Sequence, residues 1–185
     1  MDFNDPALYE RHRAVAHECG HVTAAWLSPI VVEIECVRFE GTGGETKLIY
    51  LNKDTSDVFA ERVVIALAGM AGEGLVWGRI RSGGCDNDLS EAYEFAEKLT
   101  RLTTIESLRR QWRDSGHSKV NVASMFAQPP PPPVSETLNL GYRRARSRII
   151  NYRAGFDRMC VLAAGKDIVT REEIQSQFGP RPWAP

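Results

Sequence analysis

The sequence predicts a mainly helical protein with one small β element, and three observations carry that expectation. Between Asp5 and Leu27, Leu8, Val15, Cys19, Val22 and Trp26 fall seven, four, three and four apart, which is one stripe of an amphipathic helix. The almost wholly apolar run from Val63 to Ala71 fits a buried helix. Only Val31 to Leu51 alternates in the manner of strands. With 43% hydrophobic and 25% charged residues, the 185-residue chain has the composition of an ordinary globular protein. At that length roughly 70% of the unfolded surface is buried on folding, so disulfide staples are not needed. The formal charge of -1 excludes a whole-protein field that would steer the chain to nucleic acid or anionic membrane.

Each element has its own signal. Asp5-Pro6 is an N-cap followed by proline at the first helical position, and Ser28-Pro29 ends the helix after Leu27. At about 100° per residue, His17 and His21 lie nearly opposite the apolar stripe. Val31 to Phe39, the turn Gly41-Thr42-Gly43-Gly44 and Thr46 to Leu51 form a β-hairpin. Asp54-Thr55-Ser56-Asp57 opens a second helix that runs through the apolar stretch and carries Glu73 as the odd charge at its far end. After Gly83-Gly84 a third helix is expected from Leu89 to about Leu102, carrying Leu89, Tyr93, Phe95, Ala96 and Leu99. Five prolines, Pro129 to Pro133, mark a surface loop over about 113–134 in polyproline II form. One long helix follows from Ser135 to Ala164, and Thr170-Arg171-Glu172-Glu173 is the capping box of a short final one. The whole, 1–185, is expected to be one domain.

Location and redox state follow from what the sequence contains. The longest apolar run, Val63 to Gly72, is about half of what a bilayer-spanning helix requires, so no membrane span is expected. The acidic start Met1-Asp2-Phe3-Asn4-Asp5 is unlike a secretory leader, which points to the cytoplasm. Cys19, Cys36, Cys85 and Cys160 lie far apart with no C-x-x-C pair, as structural thiols do.

The chemistry concentrates in His17-Glu18-Cys19-Gly20-His21. Histidines four residues apart on a helix project from one face and can hold one zinc ion, while Glu18 can reach a water on that metal. Roughly one shuffled chain in 150 of this composition carries such a pentad by chance. A catalytic zinc needs a third protein ligand, and two carboxylates compete. Glu73 is a charge on a buried helix, which a metal or a histidine partner would explain. Asp88 follows a Gly-Gly turn, although with Glu91 it also makes a helix N-cap signal. Spacing alone leaves both open.

The pentad resembles the H-E-A-G-H of the FtsH-type zinc metallopeptidase domain, the proteolytic half of membrane-anchored AAA proteases. Ala68-Gly69-Met70-Ala71-Gly72-Glu73-Gly74-Leu75 is similar to that family's G-G-R-A-A-E-E-L helix, and Gly84-Cys85-Asp86-Asn87-Asp88-Leu89 to its G-A-S-N-D-L turn. Val31 to Leu51 resembles the family's substrate-side hairpin, and Gly141 to Ile174 its closing helices. The resemblance implies an FtsH peptidase-like helical fold, with Asp88 as the third zinc ligand and Glu73 orienting a ligand histidine. Cys19 stands where the family has alanine, and Gly72 and Gly74 stand where it has Ala and Glu, which should loosen that helix. A P-loop is missing: around Gly165-Lys166, Cys160 and Asp167 occupy the other required places.

The expected activity is therefore zinc-dependent hydrolysis of unfolded polypeptide without an ATPase of its own. A separate ATPase or further copies of the chain are its expected partners. The alternative is a catalytically silent module acting through the proline run and the arginines Arg143, Arg144, Arg146, Arg148, Arg153 and Arg158.

Overall fold

In the computed structural model, which describes residues 5–78, 85–114 and 133–182 (of 106–114 only the backbone), the first helix, α1, spans Pro6–Trp26. Asp5 caps it by accepting from the Ala7 and Leu8 amides, as Asp5-Pro6 predicts. Val15, Cys19, Val22 and Trp26 enter the core, whereas Leu8 stays 38% exposed. Burial then continues round the whole circumference, and His17 and His21 are covered as well. The face opposite the apolar stripe is therefore interior too.

The hairpin pairs β1, Val31–Glu40, with β2, Gly43–Tyr50, from Glu40 opposite Gly43 to Val31 opposite Tyr50. Gly41 turns the chain at a φ of 56°. A third strand, β3, Ile168–Thr170, pairs antiparallel with Cys36 to Arg38, giving the order β2-β1-β3 and leaving β2 at an edge. Three residues are too few for alternation to mark β3 in the sequence.

The expected second helix is two. Helix α2, Ser56–Ala66, is capped by Thr55, and α3, Ala68–Trp77, starts afresh after Leu67 leaves helical geometry at a ψ of -2°. The break lets α2 pack on the fourth helix while α3 lies along α1. Gly72 makes that second contact possible, since a methyl group there would overlap the Ala16 carbonyl. It tightens the structure where the sequence suggests loosening.

Helix α4, Asp86–Asp114, starts three residues before Leu89 and runs well past Leu102, so Trp112 to Asp114 are helical rather than loop. No glycine or proline interrupts Thr103 to Asp114, and helix formers carry it on after the apolar stripe ends. Its packed face is Ala92 and Ala96, with Leu89 and Tyr93 exposed, because small residues allow close approach to α2. The turn at Gly83-Gly84 and the polyproline run up to residue 132 lie outside the described residues.

The expected single closing helix is also two, α5 at Val134–Asn151 and α6 at Arg153–Ala163, interrupted at Tyr152, whose ring stacks on Phe178. Helix α7, Arg171–Phe178, has the Thr170–Glu173 capping box in full. The core gathers around α1: Cys19 and Val22 meet Ile34, Val37, Ile65, Phe156, Met159 and Ile174. The fold is mainly helical with a small antiparallel sheet, as expected. Among the described residues no helix is long and apolar enough to cross a membrane, and the four cysteines are thiols.

The Gly72 contact makes a prediction whose sign opposes helix propensity. Alanine is the better helix former by about 1 kcal/mol, yet Gly72→Ala should destabilise the protein by roughly 1–3 kcal/mol through overpacking. Urea unfolding measures this, and a gain in stability would exclude the close contact.

Candidate metal centre

Three elements meet above Gly69. From α1, the Nε2 atoms of His17 and His21 approach to 3.1 Å. Asp88, in the first turn of α4, places Oδ2 at 2.7 Å from His17 Nε2 and 3.2 Å from His21 Nε2. Gly69 on α3 forms the floor, where a methyl group would overlap both imidazoles. Because α4 begins at Asp86, Asp88 lies past the cap position and its side chain turns to the histidines instead.

The other nitrogen of each ring determines what this cluster presents. His21 Nδ1 lies 2.8 Å from the Ile65 carbonyl, which can only accept, so Nδ1 carries the hydrogen. His17 Nδ1 lies 2.9 Å from Glu73 Oε1 and donates to that carboxylate. With neutral rings, both Nε2 lone pairs and a carboxylate oxygen then converge on one point with no donor among them. Such an arrangement needs a shared proton or a cation. Ligand atoms on a tetrahedral zinc lie roughly 3.3–3.5 Å apart, as follows from bonds of 2.0–2.2 Å, so a small outward shift adapts this trio to the ion.

Electrostatics in the metal-free chain fits the same picture. Burial opposes charge on His17, but hydrogen bonds to Asp88, Cys85 and Glu73 outweigh it and push its pKa up to about 12. His21 is also raised: burial works against its charge and the bond to Asp88 prevails. Burial likewise opposes ionisation of Asp88 and Glu73, yet His17 and His21 hold Asp88, and His17 and Arg13 hold Glu73, below the usual carboxylate range.

Glu18, one residue after His17, is buried and bound through Oε2 to the Thr46 hydroxyl at 2.6 Å. Thr46 belongs to the edge strand β2, so the hairpin and the pentad are joined through this carboxylate. Two hollows flank it, one of about 380 Å³ beside His17 and Glu73, the other of about 220 Å³ beside His21 and Tyr50; Glu18 and Asp88 line both. A second group of donors, His17, Glu73 and Cys85, adjoins the first on the Nδ1 side of His17. Glu73 thus sits behind the histidine, and Asp88 in front of it.

Sequence reasoning missed Thr46 and Arg13. Nothing local marks Thr46, whose partner is 28 residues away. Arg13 forks onto Glu73, and its one signal is position, four residues before His17 on the same helix face.

No family profile matches the chain. Over 185 residues it is 24% identical to an ATP-dependent zinc metalloprotease FtsH of Methylococcus capsulatus, a match covering 90% of this chain and 29% of that protein. It is 22% identical over 190 residues to the mitochondrial inner membrane m-AAA protease component yta12 of Schizosaccharomyces pombe, covering 95% and 24% respectively. Low-identity similarity to FtsH-type proteases therefore extends over most of the chain, which spans well under a third of the length of these relatives. That likeness suggests a protease-related function.

The metal-free cluster carries a signed pH dependence. His17, raised from 6.5, contributes stability that is complete below pH 6.5 and is lost as pH rises toward about 12. Asp88 and Glu73, lowered from 3.8 and 4.5, contribute stability present above those values and lost as pH falls through their folded values. In chelator, the stability difference between wild type and His17→Gln should be largest between about pH 4.5 and 6.5 and smaller at about pH 8.5. A difference that grows with pH in denaturant titrations would exclude the charged pairs.

Proposed function

We propose that the chain is a zinc metallopeptidase unit that hydrolyses peptide bonds in unfolded polypeptide. One observation carries the reading: three potential ligand atoms, from His17, His21 and Asp88, converge beside a glutamate that is tied to an edge strand. In this reading those three residues hold zinc and Glu73 orients His17. A zinc ion held by these residues would supply Lewis-acid chemistry, polarising a carbonyl and lowering the pKa of a bound water toward neutrality. Glu18 takes the proton of the attacking water and returns it to the leaving amine. Thr46 keeps one Glu18 oxygen engaged, and Glu18 lines both hollows. An extended substrate adds to the edge of β2 that has no partner among the described residues, by backbone hydrogen bonds that need no particular side chains.

The 185 residues hold no P-loop, whereas the Methylococcus relative is named as ATP-dependent. In the proposed arrangement an ATPase outside these residues supplies unfolding, alone or in an assembly of several copies of the chain. The alternative, a silent docking module, draws less support. Of its arginines, Arg148 is bound to Glu61, Arg153 to Asp157 and Arg158 to the Gln177 carbonyl.

Ligand and base are separable. The purified chain should hold about one zinc, as a three-ligand site with an open position does. His17→Ala and Asp88→Ala should each lose most of it. Glu18→Gln should keep the metal while peptide cleavage drops by about 10² or more, the scale of general acid-base catalysis. Elemental analysis with a cleavage assay checks both, and a zinc-free wild type or full cleavage by Glu18→Gln would overturn the assignment.

Substrate state supplies the second test. Local opening of folded proteins costs from about 0 up to a global stability of 5–15 kcal/mol. The chain alone should therefore cut casein or a permanently unfolded protein, spare the stable folded form and ignore ATP. Equal rates on both forms, or stimulation of the purified chain by ATP, would show the reading wrong.

A further inference from the structure

Glu73 is only 3% exposed, and each of its oxygens is separately engaged. Oε1 accepts from His17 Nδ1 at 2.9 Å. Oε2 accepts two N–H groups of Arg13, from Nη2 at 2.7 Å and from Nε at 3.3 Å, while Arg13 Nη1 donates to Glu10 at 2.8 Å. Glu10, Arg13 and His17 are three and four residues apart, so they share one side of α1 and face Glu73 on α3 together. A chain of alternating donors and acceptors thus runs from Glu10 through Arg13 and Glu73 to His17, and ends where His17 Nε2 meets His21 and Asp88.

We propose that Arg13 is a positioning residue of the metal centre: its guanidinium fork sets the rotation of Glu73, so that one oxygen alone meets His17 and the other is kept from metal ligation. This inference rests on the zinc reading above. The physical need is specific. A carboxylate beside a ligand histidine has two available roles, orienting the ring or entering the coordination sphere. Glu73 stands close to both, since it also belongs to the donor group with His17 and Cys85. Two N–H vectors from a planar fork onto Oε2 fix the carboxylate plane, which a single point charge does not. Fixing that plane fixes the direction of the His17 Nδ1–H bond and, through the rigid ring, of the Nε2 lone pair. Arginine stays charged at any working pH, so the clamp holds in the metal-free and the loaded state alike.

A purely structural role, an ion pair that docks α1 on α3, makes a different prediction, and zinc affinity separates the two. Affinity is measured by competition with a chromogenic chelator on the purified wild type, Arg13→Gln, Arg13→Lys, Glu73→Gln and the double variant Arg13→Gln/Glu73→Gln. Cobalt absorption spectra report the ligand geometry of each. Arg13→Gln should weaken zinc binding by about 10- to 100-fold, the range for loss of a residue that orients a ligand, and alter the cobalt spectrum. Arg13→Lys should recover only part of the loss. The double variant should bind no more weakly than Glu73→Gln alone, because Arg13 acts through Glu73. Should Arg13→Gln not fold, Arg13→Lys and the double variant, which leaves no lone buried charge, carry the comparison. Wild-type affinity in a folded Arg13→Gln, losses that simply add, or a fall in urea stability with unchanged affinity would overturn the proposal while the zinc centre stands. A wild type that binds no zinc would remove both.

Discussion

The closeness of α1 to α3 is the constraint on which the centre depends. At Gly72 the two backbones approach so nearly that no side chain fits between them, and Gly69 leaves the imidazoles of His17 and His21 resting on a bare peptide. Moving α3 outward by the width of a methyl group would separate Glu73 from His17 and Arg13 at once. The turn at Leu67 is part of the same device. It frees α3 from the direction of α2, whose task is to pack on α4, and α4 in turn delivers Asp88. The packing of these helices therefore brings His17, His21, Glu73 and Asp88 each within hydrogen-bonding distance of another of the four.

Such a density of buried charge has to be compensated locally, and the order of the groups shows how. Arg13 is matched by Glu10 and Glu73, Glu73 by Arg13 and His17, and Asp88 by the two histidines. Burial opposes the ionised form of every one of these groups except where a partner outweighs it, and here the partners prevail. The meeting point of His17 Nε2, His21 Nε2 and Asp88 Oδ2 lacks a donor only when both rings are neutral, and there a shared proton or a cation must supply what the side chains do not. Arrangements of this kind do not persist for packing alone, because apolar residues of similar volume would fill the space at less cost.

How much of this was legible in the sequence follows from the range of the interactions involved. The Asp5 cap, the hairpin turn at Gly41 and the Thr170 capping box are satisfied within a few residues, and each appears where the local pattern places it. The breaks at Leu67 and Tyr152 and the short strand β3 answer to packing partners far along the chain, and no local residue announces them. The same division runs through the site. Four-residue spacing puts His17 beside His21 on any helix, but the choice of Asp88 over Glu73 in front of the rings depends on where α4 begins relative to α1. Spacing could not decide it, and the geometry separates the two carboxylates by which ring nitrogen each one meets.

The bond between Thr46 and Glu18 joins the two halves of the fold in a way that bears on substrate choice. Glu18 is carried by a helix buried on all sides from Val15 to Trp26, whereas Thr46 belongs to a strand whose outer edge has no partner among the described residues. On the proposed reading, a peptide added to that edge would extend the sheet beside Glu18, so that backbone pairing and placement of the scissile bond would become a single event. Folded domains present few such segments, since their strands are already paired and their loops are short. In the proposed reading, selection would act on an extended backbone rather than on particular side chains, because the hydroxyl that holds Glu18 sits on an edge strand.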